Sequence, residues 1–110
     1  MTYKEVKTMV ATLGLPFAYN QFPNNTEQAP PFICYLFTDR STDLMADNKN
    51  YSKLRPLSIE LYTDEKDFEK EATIETALTN AGLAFSRSED YIESERMYQI
   101  TYDTEVLIDG

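Results

Sequence analysis

The chain contains no histidine and no tryptophan, one cysteine and three glycines among its 110 residues. Without histidine the commonest general base and the commonest metal ligand are both missing, so zinc sites built on Cys and His are excluded. A serine nucleophile would need an unusual base such as lysine, and neither G-x-S-x-G nor S-x-x-K occurs. Gly14, Gly82 and Gly110 are too far apart to form a glycine-rich loop that cradles phosphate. The lone Cys34, inside Phe32-Ile33-Cys34-Tyr35-Leu36-Phe37, has no second cysteine to bridge and is expected to pack as a small buried hydrophobe. No apolar run approaches the roughly 20 residues that a membrane-spanning helix requires. The opening Thr2-Tyr3-Lys4-Glu5 lacks the apolar stretch of a signal peptide, so a cytoplasmic origin is expected and the N-x-[ST] matches at Asn24 and Asn50 carry no weight.

Charge is abundant but one-sided. The net charge is −9. Residues 1 to 55 hold six Lys and Arg against five Asp and Glu, a net of +1, and residues 56 to 110 hold four against fourteen, a net of −10. Phosphate backbones are bound by clustered cations, so conventional nucleic-acid binding is disfavoured, as is attachment to an anionic membrane. The plain reading of the acidic half is a solvated surface that aids solubility; the functional one is a surface that repels an anion or meets a basic partner.

The hydrophobic 42% suits one modest core, and a single α+β domain over 1–110 is expected. Thr2 and Glu5 form the S/T-x-x-E capping pattern, and Tyr3, Val6, Val10 and Leu13 follow at helical spacing, predicting a helix from Thr2 to Leu13. Leu15 to Tyr19 reads as a brief strand, 20–31 as an Asn- and Pro-rich loop, and Phe32 to Thr38 as a strand covered on both faces. Asp39 to Lys53 reads as a fifteen-residue loop. Within it Asp39-x-Ser41-x-Asp43 begins like a calcium loop, but Leu44 stands where glycine is needed and Asn50 where a bidentate Glu belongs.

Leu57, Ile59 and Leu61 alternate with Ser58, Glu60 and Tyr62, a strand that Pro56 should start or place at an edge. Asp64 and Asp67 can cap the next helix, whose apolar side is traced by Phe68, Ile74, Ala77, Leu78 and Ala81 before a Schellman cap at Gly82 and Leu83. A strand over Ala84 to Ser88, an acidic turn over Glu89 to Glu95, and an alternating strand from Tyr98 to Val106 complete the pattern. Adjacent strands predict an antiparallel or mixed β-sheet with two α-helices packed on one face, an α+β fold. The acids fall mostly on exposed helix and turn positions, away from any paired-carboxylate arrangement. Each of the eight tyrosines is expected in the core before an interface.

Six segments carry a resemblance. They are Tyr3-Lys4-Glu5-Val6, Gly14 to Phe22, Pro30 to Leu36, Ala46 to Tyr51, and above all Ile59-Glu60-Leu61-Tyr62-Thr63-Asp64-Glu65-Lys66-Asp67, with Tyr91 to Glu95 before the last strand. Together the chain resembles small tail-terminator proteins, also called tail completion or head-tail joining proteins, of long-tailed phages and prophages of Gram-positive bacteria. That resemblance implies a virion protein assembled in the host cytoplasm, with no catalysis and no cofactor. It implies a ring, six subunits being the expected number, that caps the tail tube, docks to the head connector and lets DNA pass without specific binding. Leu44, Met45 and Tyr51 are then candidate anchors to a neighbouring subunit or the lumen. Glu60, Asp64, Glu65 and Asp67 form a candidate DNA-repelling surface. Another neck or connector component of similar fold, or a non-enzymatic soluble binding module, is the alternative.

Overall fold

The computed structural model describes residues 1–22, 28–38, 42–43 and 52–109, with the backbone alone at 42, 43 and 52. Helix α1 spans Tyr3–Ala11, strands β1 to β4 span Phe17–Tyr19, Phe32–Phe37, Thr42–Asp43 and Ser52–Thr63, helix α2 spans Phe68–Asn80, and β5 and β6 span Phe85–Ile92 and Met97–Asp109. The strands form one mixed sheet in the order β1-β2-β4-β6-β5, with the two-residue β3 beside β4. Only the β1–β2 pair is parallel.

The register puts the apolar residues in rows. Ile33, Leu61 and Ile100 align across β2, β4 and β6, and Tyr35, Ile59 and Tyr102 form the next row. All six are buried, and Val6, Val10, Ile74 and Leu78 from the two helices pack into the same core. Both helices therefore cover one face, the arrangement that the alternating pattern predicts. Burying each such Leu or Ile contributes roughly 1.5–3 kcal/mol.

Local chemistry explains the helix ends. Thr2 accepts the Glu5 amide at 3.1 Å while the Glu5 carboxylate accepts the Thr2 amide at 2.8 Å, a complete capping box. Asp67, and not Asp64, caps α2, accepting the Lys70 amide at 3.1 Å. Leu83 donates to the Leu78 carbonyl and Gly82 to that of Thr79, with Gly82 at φ 75°, which is the expected Schellman closure.

Several expectations are corrected. Phe68 is 71% exposed, because it opens α2 beyond the sheet, and the helix turns Glu71 inward in its place. Ala81 is exposed too. Pro56 lies inside β4, paired with Glu105. Its missing donor falls where β2 ends: the Thr38 amide donates to the Pro56 carbonyl at 3.1 Å, and the Thr38 carbonyl accepts from the Arg55 guanidinium at 2.8 Å. Strand β4 begins at Ser52 and β3 pairs with it, so the 39–53 segment is not loop throughout. Strand β5 continues through Ile92, and the turn to β6 is confined to Glu93–Arg96. On β2, Phe32 and Leu36 are only half-buried, since no helix among the described residues covers that face. Full cover on this strand therefore holds for Ile33, Cys34, Tyr35 and Phe37 alone.

Leu61→Ala should lower the unfolding free energy by about 2–5 kcal/mol in urea titration, whereas Phe68→Ser should change it by less than about 0.5 kcal/mol. Equal losses for the two would contradict the placement of Phe68 outside the core.

Candidate functional site

Two charged regions stand out, one holding the helix layer to the sheet and one on the sheet's open face. In the first, Glu71 on α2 is buried. Its carboxylate meets the Lys66 ammonium at 2.5 Å and the Arg87 guanidinium at 2.6 Å. Glu89, beside Arg87 on the inner side of β5, accepts from the same two cations at 2.7 and 2.8 Å. The Tyr102 hydroxyl donates to Glu75 at 2.8 Å. Both Glu71 oxygens thus carry charge-assisted bonds, which offset the cost of burying the carboxylate. The cluster is a brace between α2 and the β5 edge. Hydrogen bonds from Lys66 and Arg87 hold the Glu89 carboxyl below its usual range. The Lys70 backbone and side-chain donors do the same for Asp67. Bonding to Glu71 and Glu89 raises Arg87 and, against the opposing effect of burial, Lys66.

The second region is the sheet face turned away from the helices. Strand alternation directs Phe32, Cys34, Ser58, Glu60, Tyr62, Ser86, Ser88, Asp90, Met97, Gln99, Thr101, Asp103, Glu105, Leu107 and Asp109 to it. The carboxylates there are Glu60, Asp90, Asp103, Glu105 and Asp109, and no lysine or arginine on these strands points outward. Asp109 is neutralised by the N-terminal ammonium at 3.2 Å. Glu60 accepts the Tyr62 hydroxyl at 2.9 Å, and Asp103 accepts that of Ser58. None of Glu60, Asp90, Asp103 and Glu105 has a cation partner among the described residues.

At one end of this face lies an open groove of about 720 Å³ lined by Phe22, Phe32, Cys34, Tyr62, Ile92, Glu95 and Met97 with the polar chain around Gln21 and Gln28. Phe32 stacks on Tyr62 with centroids 4.8 Å apart, and Phe22 meets Phe32 edge-on at 5.4 Å. Cys34 at the floor is buried, as expected, and burial, helped by the Glu60 charge, pushes its thiol up to about 11. Burial and the Glu60 carboxylate also raise the Tyr62 phenol. Burial, then the bond to Glu75, raises that of Tyr102.

Of the residues singled out by sequence, Leu44, Met45 and Tyr51 lie outside the described residues. The four acids do not share one setting. Glu60 sits on the open face, Asp67 is the α2 cap and is bonded to Lys70 at 3.0 Å, and Asp64 and Glu65 are exposed in the turn between β4 and α2. No group of three acids or thiols able to hold a metal ion occurs among the described residues. Sequence reasoning missed the groove and the Glu71 brace. The period-2 pattern of Gln99 to Glu105 was a signal for the open face.

No protein-family model matches the chain, and no curated protein matches it by sequence. A solved structure shares the fold of this chain. Its title is "Virion of native gene transfer agent (GTA) particle". The likeness covers 98% of this chain and 91% of that one, at a TM-score of 0.59 and 16% identity. The two chains share a fold.

The cited shifts set a pH window. Asp67 and Glu89 bind protons less readily folded than unfolded, so their contribution is complete above the ordinary carboxylate range and is lost as pH falls through about 4 and below. Lys66, Tyr62, Tyr102 and Cys34 hold protons more tightly when folded, so their contribution is complete below the unfolded values and is lost as pH rises above about 9. Urea midpoints should therefore decline at both ends. The acid-side decline should be smaller in a Lys66→Met, Arg87→Met variant, which lacks the cations that hold Glu89 down; an unchanged acid limb would contradict the brace. Cys34 should react with a thiol reagent at pH 8 only after denaturant is added, and rapid labelling of the native protein would contradict its burial.

Proposed function

We propose that this protein is a non-enzymatic structural subunit of a virion, a tail-terminator or head-tail joining protein. In this reading it closes with copies of itself into a ring at the head-proximal end of a tail tube. The observation that carries the reading is the fold shared, over nearly the full length of both chains, with a chain of a gene transfer agent virion. It agrees with the independent sequence resemblance centred on Ile59 to Asp67. The chain has no histidine, and no cluster able to hold a metal ion occurs among the described residues.

The physical chemistry of the chain suits such a role. A cyclic ring joins two different patches of each subunit. The near-neutral first half and the acidic second half supply unlike surfaces. Leu44, Met45 and Tyr51 are assigned to the contact with a neighbour, as apolar and aromatic anchors. The net charge of −9 disfavours retention of genomic DNA passing through the ring. Asp64 and Glu65, whose carboxylates carry no hydrogen bond or ion pair among the described residues, are assigned to the channel side, where they repel phosphate at low cost to the fold. The tail tube protein and the head connector are the other partners, and six subunits the expected ring size. Assembly takes place in the bacterial host cytoplasm.

Electron microscopy of the purified protein mixed with tail tubes tests this directly. Six-membered rings seated at one tube end are expected. Attachment to the head connector alone would move the protein to another part of the neck, and no attachment to either would overturn the virion assignment. In a gel-shift assay at physiological salt, duplex DNA should not be retarded by the protein, and retardation would contradict the channel reading.

A further inference from the structure

We propose that the open face of the sheet docks a basic, arginine-bearing segment of a partner protein, with one arginine seated in the aromatic groove. The inference does not depend on the ring and applies equally to an isolated subunit.

The charge arrangement argues for the chemistry of the occupant. Glu60, Asp90, Asp103 and Glu105 all point outward from β4, β5 and β6, and none of the four meets a cation among the described residues. Asp90 lies across from Gln99, Glu60 across from Thr101, and Asp103 and Glu105 follow along β6. The row runs about 20 Å from Gln99 to Glu105 at the usual strand rise. Elsewhere the fold answers its buried carboxylate with Lys66 and Arg87, whereas these four sheet carboxylates have no answering cation among the described residues. A segment carrying several positive side chains completes it.

The groove argues for arginine in particular. Phe22, Phe32 and Tyr62 present ring surface, Ile92 and Met97 present aliphatic and thioether wall, and Glu95 stands at the rim. A guanidinium can stack on an aromatic ring and pair with a carboxylate in the same pose while its methylene stem lies on apolar surface. Lysine offers the charge without the planar stacking surface. Nucleic acid is disfavoured by the same carboxylates. A second copy of this chain would bring a net charge of −9 against them.

The test is a titration of the ¹⁵N-labelled protein with three synthetic ten-residue peptides that alternate serine with arginine, lysine or glutamate. The arginine peptide should shift the amides of Phe32, Cys34, Tyr62, Ile92, Met97 and Asp103. It should bind about tenfold more tightly than the lysine peptide, and the glutamate peptide should cause no shift. Glu95→Gln, an exposed turn substitution that leaves the fold intact, should weaken the arginine peptide several-fold, and Tyr62→Ala about tenfold. Shifts confined to the two helices, equal binding of arginine and lysine, absence of binding, or self-association through the same residues would each overturn the proposal.

Discussion

The pairing of β4 with β6 is the constraint on which the rest depends. Twelve consecutive residues of β4, Ser52 to Thr63, face Asp109 to Tyr98 without interruption. Because side chains alternate strictly, that single register commits Leu57, Ile59, Leu61, Ile100, Tyr102 and Val106 to one side and Ser58, Glu60, Thr101, Asp103 and Glu105 to the other. A one-residue slip would turn the core out and the acids in. Strand β2 extends the apolar side with Ile33, Tyr35 and Phe37, and the two helices then have one face to cover.

The same constraint accounts for where charge is held and where it is left. Strand β5 is the sheet edge, and its inward positions at Arg87 and Glu89 lie at the margin of the helix layer. There Glu71 can be buried because Arg87 and Lys66 reach it from β5 and from the turn before α2. Edge strands invite pairing with other chains, and inward-pointing charges of this kind are one way of guarding them. Glu60, Asp90, Asp103 and Glu105 on the outward side have no such answer among the described residues. Their repulsion is tolerable in water, and it gives the open face a sign that selects what can approach it.

Much of this order is legible in the sequence. The capping box at Thr2 and Glu5, the Schellman cap at Gly82, and the alternation of Leu57 to Tyr62 and Tyr98 to Val106 are local signals, each fixed by residues within a few positions of one another. Long-range pairings are not. Arg87 lies sixteen residues from Glu71, so the brace is invisible until β5 is placed beside α2, and Phe68 takes by helical periodicity the role that Glu71 holds. Pro56 misleads because only the end of β2 reveals that no donor is needed there. The groove joins Phe22, Phe32, Tyr62 and Met97, which only the sheet brings together. The residues that sequence reasoning marked as anchors, Leu44, Met45 and Tyr51, lie outside the described residues.

The one-sided sheet leaves an acidic open face, which we propose as the docking surface for a basic partner segment. Carbodiimide labelling of carboxyl groups, read by mass spectrometry in the free protein and in particles that contain it, measures this most directly. The account predicts that Asp90, Asp103 and Glu105 lose reactivity on assembly while Glu69 on the outer side of α2 keeps it. Unchanged reactivity at the three sheet carboxylates, with protection on the helices instead, would contradict it.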